Sequence, residues 1–182
     1  MNDHAHPDPK QLAEAAACEL RKLLPRKDEL KPKERLAIPA QEMPAQDPVV
    51  RRSNIQEVAL GYGEAQARLE ALRCLQCKNA PCVAGCPVRI DIPGFVKAVA
   101  DGDFQLAIDI IKRNSLLPAV CGRVCPQETQ CQEPCTVGKS LKDPNLSVSI
   151  GRLERYVADW EREQGRIRTP EVKPETPAIL RT

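Results

Sequence analysis

Cys74-Leu-Gln-Cys77-Lys-Asn-Ala-Pro-Cys82-Val-Ala-Gly-Cys86-Pro87 places four cysteines in one short run with the spacing C-x2-C-x4-C-x3-C-P. A second run follows, Cys121-Gly-Arg-Val-Cys125-Pro126, continuing to Cys131 and Cys135. Eight of the nine cysteines therefore lie between residues 74 and 135, and only Cys18 falls outside. Thiols at this density must be oxidised, bound to metal or held apart. An odd total fits a disulfide framework poorly. The opening Met-Asn-Asp-His-Ala-His lacks the basic-then-apolar order of a signal peptide, and no apolar stretch approaches a membrane span. The sequence thus predicts a reducing, cytoplasmic setting in which ligation is favoured over disulfide formation.

The spacing points to iron–sulfur chemistry. Bacterial ferredoxins use C-x2-C-x2-C-x3-C-P, with the last cysteine ligating the other cluster. The first run here differs by two extra residues between its second and third cysteines. A turn from Cys74 to Cys82 can wrap three corners of a [4Fe–4S] cube, and Pro87 and Pro126 would stiffen the chain as it leaves the cysteines. Eight cysteines match two cubes, although counting alone does not assign four to each. Structural zinc is the rival, since C-x2-C is also half of a zinc site. Zinc sites usually pair two such halves, and a C-x4-C-x3-C-P continuation is not their habit. A catalytic thiol has little support, because the two histidines, His4 and His6, sit in the tail and read as solvated. An electron carrier is the leading reading, with a zinc-held structural or interaction module as the alternative.

Composition narrows the classes further. Twenty-seven basic against 25 acidic residues give a formal charge of +2, so neither a nucleic-acid nor a membrane footprint follows. Aromatics at 3% leave little for base stacking. Residues 1–10 read as disordered. Leu12, Ala15, Ala16, Leu20, Leu23 and Leu24 recur at helical spacing over 11–24, and Pro25 stops that helix. This helix could dock on a partner or pack on its own domain. Pro25, Pro32, Pro39, Pro44 and Pro48 make 25–50 an extended connector. A helix over 64–74 delivers Cys74 and Cys77. Asp91 caps a helix to Ala100, Asp103 caps a second with Phe104, Ala107, Ile108 and Ile111 on one face, and this pair could roof the metal. The second cysteine run is too rich in turns for a long element. Ser147 or Ser149 opens a last helix carrying Ile150, Leu153, Val157 and Trp160. No alternating strand pattern is present. The expectation is an all-α protein divided into an N-terminal helix and connector (1–48), a metal-binding domain (49–165) and a Pro-rich tail (166–182).

Several motifs in order carry a resemblance. Ala59-Leu-Gly-Tyr, Arg73-Cys-Leu-Gln-Cys-Lys, Cys86-Pro-Val, Ile90-Asp-Ile-Pro, Leu117-Pro-Ala-Val-Cys-Gly-Arg-Val-Cys-Pro-Gln-Glu and Ile150-Gly-Arg-Leu-Glu-Arg-Tyr cover about residues 44–165. Together they resemble the N-terminal di-cluster domain of the glutamate synthase small (beta) subunit. The same module occurs in dihydropyrimidine dehydrogenase and in NADH-dependent ferredoxin:NADP oxidoreductase. The resemblance implies an α-helical ferredoxin-like fold with two [4Fe–4S] clusters. It implies Cys74, Cys77, Cys82 and the distant Cys135 as ligands of one. For the other it implies Cys86, Cys125, Cys131 and the side chain at position 154, which is glutamine in dihydropyrimidine dehydrogenase and Glu154 here. Cys121 is left as a neighbour and not a ligand.

In relatives a Pro-containing segment like 166–179 leads into a strand and a Gly-x-Gly-x-x-Gly flavin-binding turn, whereas this sequence reaches Thr182 without one. Gly61-Tyr-Gly63 lacks a third glycine and a preceding strand, so it is no dinucleotide site. The expectation is an electron-transfer module, a fragment or a separate subunit, of a flavin- and NAD(P)H-dependent oxidoreductase. Glutamate synthase is the leading case. The equivalent modules of ferredoxin:NADP oxidoreductase and dihydropyrimidine dehydrogenase are the alternatives. It would have no complete active site of its own. FAD, FMN and NADPH would sit on partner domains or subunits, among them a flavoprotein and the glutamate synthase large subunit.

Overall fold

In a computed structural model the described residues are 8–165. Nine α-helices are found among them and no strand, only an isolated antiparallel bridge between Ala45 and Ala59. The all-α expectation therefore holds. The tail at 166–182 and the two histidines lie outside the described residues.

The centre of the molecule is the helix pair expected from the aspartate caps. The Asp91 carboxylate accepts from the Gly94 amide at 3.0 Å and opens α5 (Ile92–Asp101). Asp103 accepts from the Leu106 amide at 2.9 Å and opens α6 (Phe104–Lys112). Between them Gly102 takes the left-handed conformation, φ 85°, that ends a helix at low cost. Phe95, Val96 and Val99 of α5 and Ala107, Ile108 and Ile111 of α6 are buried. Each larger side chain among them contributes about 1.5–3 kcal/mol on leaving water.

Two more helices close around this pair. α3 (Glu64–Leu72) packs on α5 through Leu69 and Leu72, and α9 (Ile150–Glu163) packs on α6 through Leu153 and Val157. Phe104 meets Tyr156 and Trp160 edge-on, with ring centroids 5.2 and 5.6 Å apart. α7 (Pro118–Val124) lies against α9. A Cβ on Gly122 would come within 2.6 Å of the Arg155 amide nitrogen, so only glycine permits this approach.

The N-terminal part departs from its reading. α1 (Pro9–Leu23) starts two residues before the expected helix, because Asp8 caps it through the Lys10 amide and Pro9 takes its first position. It buries Ala16 and Leu20 and packs on α3, which decides for packing on its own chain. Nor is 25–50 simply extended. A 3-10 turn spans Leu24–Glu29, and α2 occupies Pro32–Ala37. Pro32 begins α2 where a missing amide costs nothing. Pro81 and Pro118 do the same for two short helices, α4 (Pro81–Gly85) and α7, so the second cysteine run holds no long element, as expected.

Candidate metal centre

Cys74 follows the end of α3, and Cys77 follows it after a turn through Gln76, whose φ of 51° is unusual for a residue with a side chain. Cys82 lies in the first turn of α4, and Cys135 sits at the N-cap of α8 (Thr136–Leu141). These four thiols line one pocket, partly open to solvent. Its walls are apolar: Ile92, Pro93 and Val96 from α5, then Val137, Val148 and Ile150. Of the expected roof, α5 alone contributes. Burial pushes the Cys74 thiol up to about 11, and Cys135 and Cys77 nearby raise it further. The Gln76 amide and the Arg35 cation pull the other way. Cys82 is pushed up to about 12, again by burial first and then by Cys74 and Cys135. Cys77 Sγ contacts Thr136 Oγ1 at 3.4 Å.

A second group forms beside the first. Cys86 ends α4, Cys125 ends α7, Cys131 is buried, and Glu154 points inward from α9. Burial drives Cys125 to about 11, followed in effect by Cys121, Glu154 and Cys86. Cys131 rises to about 12 through burial and then Cys86 and Glu154. Cys125 and Cys131 thus both feel Cys86 and Glu154, and each feels one further sulfur, Cys121 for Cys125 and Cys82 for Cys131. Glu154 is only 6% exposed, and burial raises its carboxyl to about 7. Its Oε1 is the one buried side-chain polar atom among the described residues without a hydrogen-bond partner. An orphan oxygen of this kind costs about 1–3 kcal/mol and calls for a ligand.

The structure thus brings Cys135 to the pocket of Cys74, Cys77 and Cys82, and it sets Cys125 and Cys131 near Cys86 and Glu154, with Cys131 near Cys82 as well. The described cysteines are all free of disulfides. Four thiols around one apolar-walled pocket are the donor chemistry that a [4Fe–4S] cube takes, one thiolate to each iron, so the donor set fits that group. With thiols held near 11 or 12, loading at neutral pH must expel protons.

What holds the cysteine loops was not read from the sequence. Arg73, next to Cys74, is 1% exposed and pairs with the fully buried Glu70 at 2.6 Å. Its guanidinium also donates to the carbonyls of Ile38, Leu146 and Ser147, while Glu70 accepts from the amides of Gln41 and Ser149. One ion pair thus ties the N-terminal segment and the start of α9 to the first cysteine loop. Arg35 of α2 adds donors to the carbonyls of Leu72 and Cys74, at 2.9 and 3.3 Å. The available signal was the Glu70–Arg73 spacing of three on a helix, directly before a cysteine. The two runs touch at Gly85, where a Cβ would meet the Gln130 carbonyl oxygen at 2.6 Å.

Residues 51–166 match the sequence profile described as dihydropyrimidine dehydrogenase domain II, 4Fe-4S cluster. The chain is similar to the glutamate synthase [NADPH] small chain of Escherichia coli (strain K12), at 38% identity over 64% of this chain and 24% of that protein. Against the Azospirillum brasilense protein of the same name, identity is 33% over 76% of this chain and 27% of the relative. The NAD-dependent dihydropyrimidine dehydrogenase subunit PreT of E. coli (strain K12) is 36% identical over 63% of this chain and 27% of its own length. The chain spans about a quarter of the length of these relatives.

Proposed function

The chain belongs to the dihydropyrimidine dehydrogenase domain II, 4Fe-4S cluster family, and on that premise we propose that it is a two-cluster electron-transfer module of a flavin- and NAD(P)H-dependent oxidoreductase, with glutamate synthase the leading case. The observation that carries this reading is the pocket lined by Cys74, Cys77, Cys82 and Cys135, and the partnerless buried Glu154 oxygen supports it. In it, Cys74, Cys77, Cys82 and Cys135 hold one cube, and Cys86, Cys125, Cys131 and Glu154 hold the other. When bound, the clusters supply one-electron redox chemistry. The protein's residues do the rest. Ile92, Val96, Val148 and Ile150 keep water from the first site, and the Gln76 amide donates to the Cys74 sulfur. Both act on potential through solvent access and hydrogen bonding. FAD, FMN, NADPH and substrate would sit on partner domains or subunits, a flavoprotein and the glutamate synthase large subunit in the leading case. No described helix is long and apolar enough to cross a membrane, in keeping with that role.

The test is chemical. Chain purified without oxygen or reconstituted with iron and sulfide should bind about eight of each, and its reduced form should give two interacting magnetic-resonance signals. Two zincs without acid-labile sulfide would sink the reading.

A further inference from the structure

Arg35 on α2 precedes the residues that match the family profile, yet it reaches the loop that carries Cys74. Its half-buried guanidinium donates to four carbonyls. Two of them, Lys27 at 3.1 Å and Leu30 at 3.2 Å, belong to the N-terminal segment. The other two are Leu72 at 2.9 Å, the last residue of α3, and Cys74 itself at 3.3 Å. Carbonyls satisfy the donors but leave the positive charge uncompensated. The neighbouring acids are already taken. Arg35 shares a cavity with Lys27, Asp28, Gln76, Lys97 and Asp101, and there each lysine pairs with both aspartates. Arg73, on the same loop, is neutralised by Glu70. Arg35 therefore brings a net cation to this side of the loop, and the Cys74 thiol responds to it by favouring its charged form.

We propose that Arg35 is a positioning residue for the first cluster, clamping the Cys74 loop through two carbonyls and setting beside it an unpaired positive charge that raises that cluster's potential. This deepens the two-cluster reading above and rests on it. A cube on four thiolates is negative and becomes more so on reduction, so a fixed cation favours the reduced form. In a half-buried position the effect is screened less by salt than at an exposed one. The N-terminal segment, through α2, is thereby part of the redox unit.

The test is a redox titration of the full 182-residue chain, followed by magnetic resonance. Iron is counted in every variant, and the first signal is identified as the one lost in Cys135→Ser. Arg35→Lys and Arg35→Gln both break the four-carbonyl clamp, but only the second removes the charge. Arg35→Gln should move the first-cluster potential to more negative values and leave the second in place, whereas Arg35→Lys should stay close to the parent. Lys27→Gln removes a cation that is already paired and should shift the potential less than Arg35→Gln. Loss of the first cluster from Arg35→Gln with retention in Arg35→Lys would likewise assign the role to the charge. Equal first-cluster potentials in the two Arg35 variants, or equal loss of that cluster from both, would overturn the proposal while the two signals of the parent stand. A parent chain that binds no cluster would overturn the reading beneath it instead, and the proposal with it.

Discussion

Around Cys74, Cys77, Cys82 and Cys135 the walls are apolar and every donor is a thiol. Around Cys86, Cys125, Cys131 and Glu154 one donor is a carboxylate, and a fifth sulfur stands alongside. The first group leans on α5, whose inner face is core. The second sits where α7 meets α9, and α7 turns Leu117, Val120 and Val124 outward at 62, 49 and 70% exposure. The first site is therefore walled on the α5 side by packed aliphatic side chains, while α7 beside the second carries apolar side chains that face outward. The difference teaches that two sites with interleaved ligands can still be tuned separately. Their ligands alternate along the chain, while the side chains around Cys74 and Cys125 differ.

The sharpest way to break that comparison is to remove one donor from each group. Cys135→Ser should cost the first cluster, about half the iron, and leave the second signal in place. Glu154→Ala should convert the second cluster to a three-iron form, since carboxylate is the harder and weaker ligand for this corner. If Cys135→Ser instead abolishes the second signal, the groups are wrongly divided.

Arg73 tests whether the sites share a frame. Its pair with Glu70 is buried, and removing one partner of such a pair costs about 3–5 kcal/mol. Arg73→Met should therefore lower the thermal unfolding midpoint of the chain and reduce iron retention in both groups, because the same guanidinium holds the carbonyls before α9 and flanks Cys74. Loss confined to one signal would separate the frames.

The smallest effect concerns acidity. In the cluster-free chain burial raises the Glu154 carboxyl from 4.5 to about 7. A raised carboxyl favours the protonated form in the fold. Its contribution is full below pH 4.5 and is lost as pH rises to about 7, by at most roughly 3 kcal/mol. Melting temperatures of cluster-free chain across that window should fall with pH, and Glu154→Gln should flatten the slope. An equal slope in both proteins would place the titration elsewhere.

Much of this was legible in the residues. Asp91 and Asp103 announced α5 and α6 because an aspartate cap is a local signal that tertiary packing did not override. The grouping of Cys135 with the first run, and of Glu154 with the second, came from resemblance and not from spacing, since nothing local links positions so far apart. Prolines misled the reading of 25–50. Pro32, Pro81 and Pro118 start helices, and in a single sequence a starter is hard to tell from a breaker. Arg73 and Glu70 escaped notice because charged side chains are nearly always on the surface, and their burial depends on carbonyls contributed by both ends of the fold.

The crossing of the two runs has a consequence for how the protein comes apart. In the proposed assignment Cys82 goes with Cys135, and Cys86, four residues later, goes with Cys125 and Cys131. With both clusters in place, the halves of the chain before and after Asn114 are stitched twice by metal. A protease that nicked the link there would leave pieces that travel as one body until the iron is chelated. During synthesis the same crossing means that the first cluster waits for Cys135 and the second for Glu154, so maturation waits on nearly the whole domain.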